Sequence, residues 1–265
     1  MNYIKRPFKV SFLIFCLICF LAACSKEITQ PATSDSDIYD TTSIETLAPV
    51  TIPATTVPET TVQEESVQYE IISSKAFEYP SHDEYKMNVL VEFVNTGTCN
   101  MYLPEIGSTY DLEDSDGNLI SAQNPIYAMP TVLRPGETGY LCIMERYEQS
   151  KGSDLIVVPR ILTKPATLEC VRYEITDTQC VMGDFGIKVL GKVTNTGTET
   201  YEQNYIACFL YDENGNLLRN ELAGVEYLAP GETTGFETYG LGIPGETVES
   251  VAKIVCYAYP VLTQD

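Results

Sequence analysis

The chain has no tryptophan, a single histidine and few bases: 16 Lys and Arg stand against 37 Asp and Glu in 265 residues. No long stretch repeats apolar residues with helical period, and its nine cysteines include no CxxC pair. Each shortage excludes something. A nucleophile–base–orienter triad usually draws on histidine, and His82 stands alone in a polar stretch, Pro80-Ser81-His82-Asp83-Glu84, that reads as a solvated loop. Phosphate backbones are held by Lys and Arg, so a net charge of −21 argues against a nucleic-acid partner. It argues equally against a folded part lying on an anionic lipid surface. Structural zinc calls for Cys and His at close spacing, which is missing. No G-x-S-x-G, H-E-x-x-H or phosphate-cradling glycine loop occurs. We therefore expect no catalytic residue, no cofactor and no metal site.

What is present begins with an address. Lys5, Arg6 and Lys9 precede a 13-residue charge-free run, Val10 to Ala22. A basic start and an apolar run of this length form a secretory signal; a membrane span would need about 20 apolar residues. Leu21-Ala22-Ala23-Cys24 follows and resembles the lipobox of bacterial lipoproteins. The resemblance implies that 1–23 is removed and that Cys24 receives a diacylglyceryl group. Two acyl chains hold a protein stably where one would not. The implied location is the outer face of a bacterial cell membrane. Cys24→Ala should leave the chain unprocessed or shed into the medium; fractionation showing it cleaved and membrane-bound like the parent would remove this reading.

From Ser25 to Ser66 the composition changes. Of these 42 residues 10 are Thr, 5 Ser and 4 Pro, with 8 acids and 1 base. Such a segment cannot bury enough apolar surface to offset its ordering entropy, so 24–66 is expected to be an anchor followed by a disordered tether. As a coil it would reach on the order of 35 Å. With the leader removed, 13 bases face the 37 acids. That charge reads as a device for solubility or, alternatively, as an attraction for cations or a basic partner.

The remainder says the same thing twice. Asn95-Thr96-Gly97-Thr98 recurs as Asn195-Thr196-Gly197-Thr198. Before them, Met87, Val89, Val91 and Phe93 alternate with Lys86, Asn88, Leu90 and Glu92, as Ile187, Val189, Gly191 and Val193 alternate with Gly186, Lys188, Leu190 and Lys192. This is the period of a strand with one buried face. Asp116-Gly117 and Asn214-Gly215 are hairpin turns, both residues being able to take positive φ. Pro135-Gly136-Glu137-Thr138 returns as Pro230-Gly231-Glu232-Thr233. The turn spacing predicts an all-β fold, two tandem β-sandwiches over 67–164 and 165–265 with about seven strands each.

The second copy carries Cys208-Phe209-Leu210-Tyr211-Asp212 running into Asn214-Gly215-Asn216. With the Asn-Thr-Gly and Pro-Gly-Glu-Thr turns, it resembles the FxLYD-type domain, an immunoglobulin-like sandwich of bacterial and archaeal surface lipoproteins. Cys208 stands where Phe is expected. The first copy departs further, with Tyr110-Asp111-Leu112-Glu113-Asp114. The resemblance implies a fold and assigns no activity. The Cys…Trp…Cys core of antibody domains is absent.

Asp114-Ser115-Asp116-Gly117-Asn118 looks like part of a calcium loop, but alignment on Gly117 puts Leu112 and Gln123 where an EF-hand needs acids. The second copy has Leu210 and Glu221 there. The hairpin reading is the stronger. Tyr201, Tyr205, Tyr211 and Tyr227 are candidates for partial exposure and binding, against ordinary strand composition. Cys99, Cys142, Cys170, Cys180, Cys208 and Cys256 remain beyond the anchor; buried thiols and disulfides stay equally open for them.

The functional expectation is a non-catalytic surface lipoprotein whose sandwiches bind an extracellular protein or glycan, or act as a spacer. Alternatives are a solute-capture lipoprotein of a transporter and, less strongly, an acid-dependent cell-wall hydrolase. Both would need a concave pocket of about 300 Å³ or more, and the hydrolase two facing carboxylates.

Overall fold

The computed structural model describes residues 66–152, 154–240 and 242–264; the leader, Cys24 and the tether up to residue 65 lie outside the described residues. Alternating apolar residues make strands throughout. The first copy supplies β1 (Tyr69–Ser81), β2 (Glu84–Asn95), β3 (Met101–Tyr102), β4 (Thr109–Glu113), β5 (Leu119–Pro125), β6 (Tyr127–Met129), β7 (Val132–Leu133), β8 (Thr138–Tyr147), β9 (Ile156–Arg160) and β10 (Lys164–Pro165). The second supplies β11 (Glu174–Gly183), β12 (Gly186–Thr194), β13 (Tyr201–Tyr211), β14 (Leu217–Leu228), β15 (Thr233–Glu237) and β16 (Lys253–Pro260), with one 3₁₀ turn at Val248–Ser250. Among the described residues there is no α-helix, and the fold is all-β.

The repeat is visible in the strand order. In the first copy β1-β2-β8 faces β5-β4-β9; in the second β11-β12-β15 faces β14-β13-β16. Every pairing is antiparallel. Six strands are thus common to the two. The first copy adds β6 to its outer edge and a small β10-β3-β7 ladder. That gives ten and six strands where about seven each were expected, the extras being ladders of two or three residues in the first copy.

Each copy closes over its own core. Met87, Val89, Val91 and Phe93 meet Tyr110, Leu112 and Leu141 in the first. Ile187, Val189 and Val193 meet Ile206, Cys208 and Leu210 in the second. A third cluster joins them: Leu90, Tyr140 and Cys142 of β2 and β8 pack against Ala207, Phe209, Tyr211 and Tyr259 of β13 and β16. The expectation of one buried face therefore fails on β2, where Asn88 and Leu90 are as buried as the core side. That second face is covered by the other copy. The same cover makes Ile206 to Tyr211 an unbroken buried run. Both copies fall within one compact unit.

The join is also polar. The Tyr140 ring stacks on Phe209 with centroids 3.4 Å apart. Tyr211 Oη donates to Glu92 Oε1 at 2.7 Å, so the 2.6 Å contact between the two tyrosine hydroxyls is donated by Tyr140. Tyr211, a candidate for exposure, is instead buried. In the segment between the copies, Arg172 grips both oxygens of Glu137 at 3.0 Å and Arg134 donates to the Cys170 carbonyl at 2.9 Å.

Candidate functional site

The motifs that reveal the repeat are absorbed by structure. Asn95 and Asn195 are fully buried. Asn95 Nδ2 donates to the Cys99 and Leu133 carbonyls at 3.0 and 3.2 Å, and Asn195 Nδ2 to those of Glu199 and Leu228, both at 2.8 Å. The Pro-Gly-Glu-Thr turn locks onto the same residue: Gly136 N donates to Asn95 O at 2.7 Å, and Gly231 N to Asn195 O at 2.8 Å. In the glycine hairpins only the glycine takes positive φ, 80° at Gly117 and 81° at Gly215. This corrects the expectation for Asp116 and Asn214.

The supposed calcium carboxylates are occupied in those hairpins. Asp114 accepts from Asp116 N, Asn118 N and Asn118 Nδ2; Asp212 accepts from Asn214 N, Asn216 N and Asn216 Nδ2, all at 2.8–3.0 Å. The Asn118 and Asn216 side chains, followed by their backbone N–H groups, hold the two carboxyls below the usual range. A lowered carboxyl supports the fold above its ordinary pKa and loses that support as pH falls through the lowered value. Among the described residues no cluster of three or more His, Cys, Asp or Glu side chains could hold a metal.

The feature left over is a cleft where the two copies meet. It has a volume of about 470 Å³ and is lined by Tyr102, Glu105, Tyr127, Met129, Tyr205 and Tyr259, among others. Tyr127 and Met129 come from β6, the edge of one sheet; Leu222 comes from β14, the edge of the facing one. The chain after β16 forms a wall, held by Val261 N on the Gln203 carbonyl at 3.0 Å and by Thr167 N on Gln264 Oε1 at 2.7 Å.

Four tyrosines give the cleft its character, and two of them are spoken for. Lys164 lies 5.4 Å from the centroid of Tyr102, and Arg172 5.9 Å from that of Tyr259. Tyr127 and Tyr205, each 40% exposed, form the open mouth. Tyr205 meets Tyr259 edge to face at 6.2 Å. Burial, then the Glu105 carboxylate, raises the Tyr205 hydroxyl above its ordinary pKa, so the ring presents a neutral O–H. Glu105 is the one charged side chain in the lining.

The cleft continues. It shares Tyr127, Met129 and Leu222 with a second cavity of about 260 Å³ that reaches Asn88, Glu221 and Tyr239. That one shares Met144 and Tyr239 with a third of about 600 Å³, which reaches His82, Lys86, Arg146, Asp184 and Glu246. Together they make a groove along the junction. Tyr239 and Phe185 stand at its far end, 75% and 72% exposed. Two of its acids, Glu221 and Glu246, are tied to Arg219.

Of the candidates read from sequence, Tyr205 lines the cleft and His82 the far end of the groove, while Tyr227 is exposed outside its lining. Cys24 lies outside the described residues. Tyr102, Glu105, Tyr127 and Tyr259 were missed; tyrosine abundance was the only sequence signal for them. Comparison of the chain with protein-family models, curated proteins and solved structures gives no match in any of the three.

Proposed function

We propose that this chain is a lipid-anchored, non-catalytic binding protein on the outer face of a bacterial cell membrane, and that it engages its partner through the groove between two FxLYD-type sandwiches. The observation that carries the reading is the cleft of four tyrosines at the junction, opening onto further exposed aromatic residues. Tyrosine and methionine are enriched in binding surfaces, and a contiguous exposed apolar patch marks an interaction site. The Cys208–Cys256 disulfide suits a protein exported to an oxidising environment. The lipobox and tether supply the anchor and its reach.

Solute capture by a transporter component stands as the second reading, because about 470 Å³ falls in the range of small-molecule sites. The hydrolase reading is weaker here: the tyrosine cleft holds one carboxylate where two are needed. The test is photocrosslinking in intact cells with the full chain. Tyr205→p-benzoylphenylalanine should give discrete macromolecular adducts, and the same replacement at exposed Glu213 in the β13–β14 turn should give none. Equal adducts at both positions, or none at Tyr205, would overturn the proposal.

A further inference from the structure

We infer that the groove takes an extended, basic peptide segment of a protein partner, added as a strand to the free edge of β6 with an apolar side chain in the tyrosine cleft. The inference rests on the binding role proposed above and names the chemistry of the occupant.

Shape is the first argument. Three cavities that share walls form an elongated path, which suits a linear polymer better than a compact solute. The second is the strand on that path. β6 pairs with β8 on one side, and among the described residues no strand pairs with its other side, the backbone just before and after it being bonded to the 103–108 segment (Ile126 N to Ser108 O at 3.2 Å, Leu103 N to Thr131 O at 2.7 Å). Tyr127, Ala128 and Met129 all line the cleft although successive residues of a strand point to opposite faces. The Ala128 side chain lies in the core of the first copy, so it meets the cleft through its backbone. The cleft thus runs along the edge of the strand, where an incoming extended chain could pair with it.

A third argument comes from polar chemistry. Asn88 is 1% exposed, lines the middle cavity, and its Nδ2 has no hydrogen-bond partner. A buried donor of this kind costs stability unless an acceptor reaches it. Asn88 stands on β2, two strands in from β6, so the acceptor is a carbonyl of the part of the peptide that leaves the β6 edge and crosses the sheet toward Tyr239; a purely apolar occupant would supply none. The fourth is charge. The tyrosine cleft has Glu105 as its sole charged lining residue, in a chain of net charge −21. A Lys or Arg next to the apolar anchor complements Glu105, and the surrounding field speeds the approach of a basic segment.

The probe is a fluorescein-labelled nine-residue peptide of alternating Val and Thr, with a central Phe and an adjacent Lys, titrated by anisotropy against the full mature chain in micelles. Saturable binding is expected. Replacing the probe's Lys by Glu should weaken it about tenfold, and Glu105→Gln should weaken the Lys probe about fivefold while removing most of the preference over the Glu probe. Tyr205→Ala should weaken both about tenfold. N-methylation of alternate backbone amides should abolish binding, because a strand-adding chain needs those donors. Equal affinity for the N-methylated probe, equal affinity for the Glu probe, or no anisotropy change with any peptide would overturn the inference. If adducts still form at Tyr205 in cells while the peptides fail, the groove binds something other than an extended basic chain; if both fail, the binding role itself falls.

Discussion

Arg219→Ala should lower the stability of the folded unit by about 3–5 kcal/mol, the cost of removing one partner from a buried ion pair. For a unit of this size that is a fall in Tm on the order of 10 °C. Arg219 lies on β14 with no solvent exposure. Its Nη2 contacts Glu221 Oε1, and its Nη1 contacts Glu246 Oε2. Glu221, 1% exposed, also accepts from Gly240 N through Oε2 at 2.9 Å. One guanidinium therefore holds a buried carboxylate of its own strand and a half-buried one from the loop before the 3₁₀ turn. A planar fork can serve two acids at once; the single ammonium of Arg219→Lys cannot do so in the same geometry, and should lose much of the same stability. Replacing Arg219 and Glu221 together by Met and Leu should recover part of it, since the fully buried charge is then gone and the half-buried Glu246 is the one acid of the triad left without its cation. Thermal unfolding of the four proteins by circular dichroism checks this. A single Arg219→Ala variant within 1 °C of the parent would show that the triad is not holding the fold. Because Tyr239 lies at the same loop, the variant should also loosen the far end of the groove.

How far the sequence reveals such features depends on how local they are. The turn motifs were legible because each has a hydrogen bond between near neighbours in the chain: Asn95 with Gly97, Asp114 with Asn118, Glu137 with Arg134 N. The strands were legible from their period, and the all-β fold followed. The junction between the copies was not. Leu90 and Asn88 sit at positions that alternation assigns to solvent, and only the neighbour's position shows why they are buried. Arg219 and Glu221 look like surface charges in the sequence for the same reason: their burial comes from a loop some 25 residues further on. The cleft draws residues from across the chain, from Tyr102 to Tyr259, and no local signal joins them.

The junction does explain a difference between the copies that motif comparison left as a departure. Phe209 and Tyr211 point from β13 toward the first copy, where they meet Tyr140 and Glu92. Their counterparts on β4 are Asp111 and Glu113. Among the described residues no second sandwich covers the outer face of that sheet, and Asp111 instead pairs with Arg160 and accepts from Gln123 N at 2.8 Å. At the other end of the pair, Lys188 and Lys192 on the outer face of β12 pair with Glu237 and Asp177. The outward face of the second copy is thus polar, while that of the first is mixed, with Leu119, Ile156 and Val158 exposed beside Asp111 and Glu113.

Reduction of the chain should cost about 4 kcal/mol of stability, the loop-closure value for a bridge spanning 48 residues. The bond joins Cys208 of β13 to Cys256 of β16, which lie directly opposite each other in the ladder. Neither neighbour in the sequence nor spacing singled out this pair among six cysteines. Register does, because both side chains point from adjacent strands into the core of the second copy. Cys142, although buried, sits on the other side of β13's sheet, among the residues that join the copies. Burial raises its thiol pKa, so it should react slowly in the folded protein, whereas Cys99 is partly open. In denaturant a chain processed and lipidated at Cys24 as proposed should therefore titrate four thiols before reduction and six after. Chemical denaturation with and without reductant should show the midpoint falling on reduction, and Cys208→Ala with Cys256→Ala should reproduce the fall without reductant. Six thiols in the unreduced chain, or an unchanged midpoint, would remove the bridge and with it one of the supports for an exported protein. A fall confined to the second copy, followed by amide exchange on β13 and β16, would place the bridge where it matters to the groove, because these strands carry Tyr205 and Tyr259, two of the four tyrosines that line the cleft.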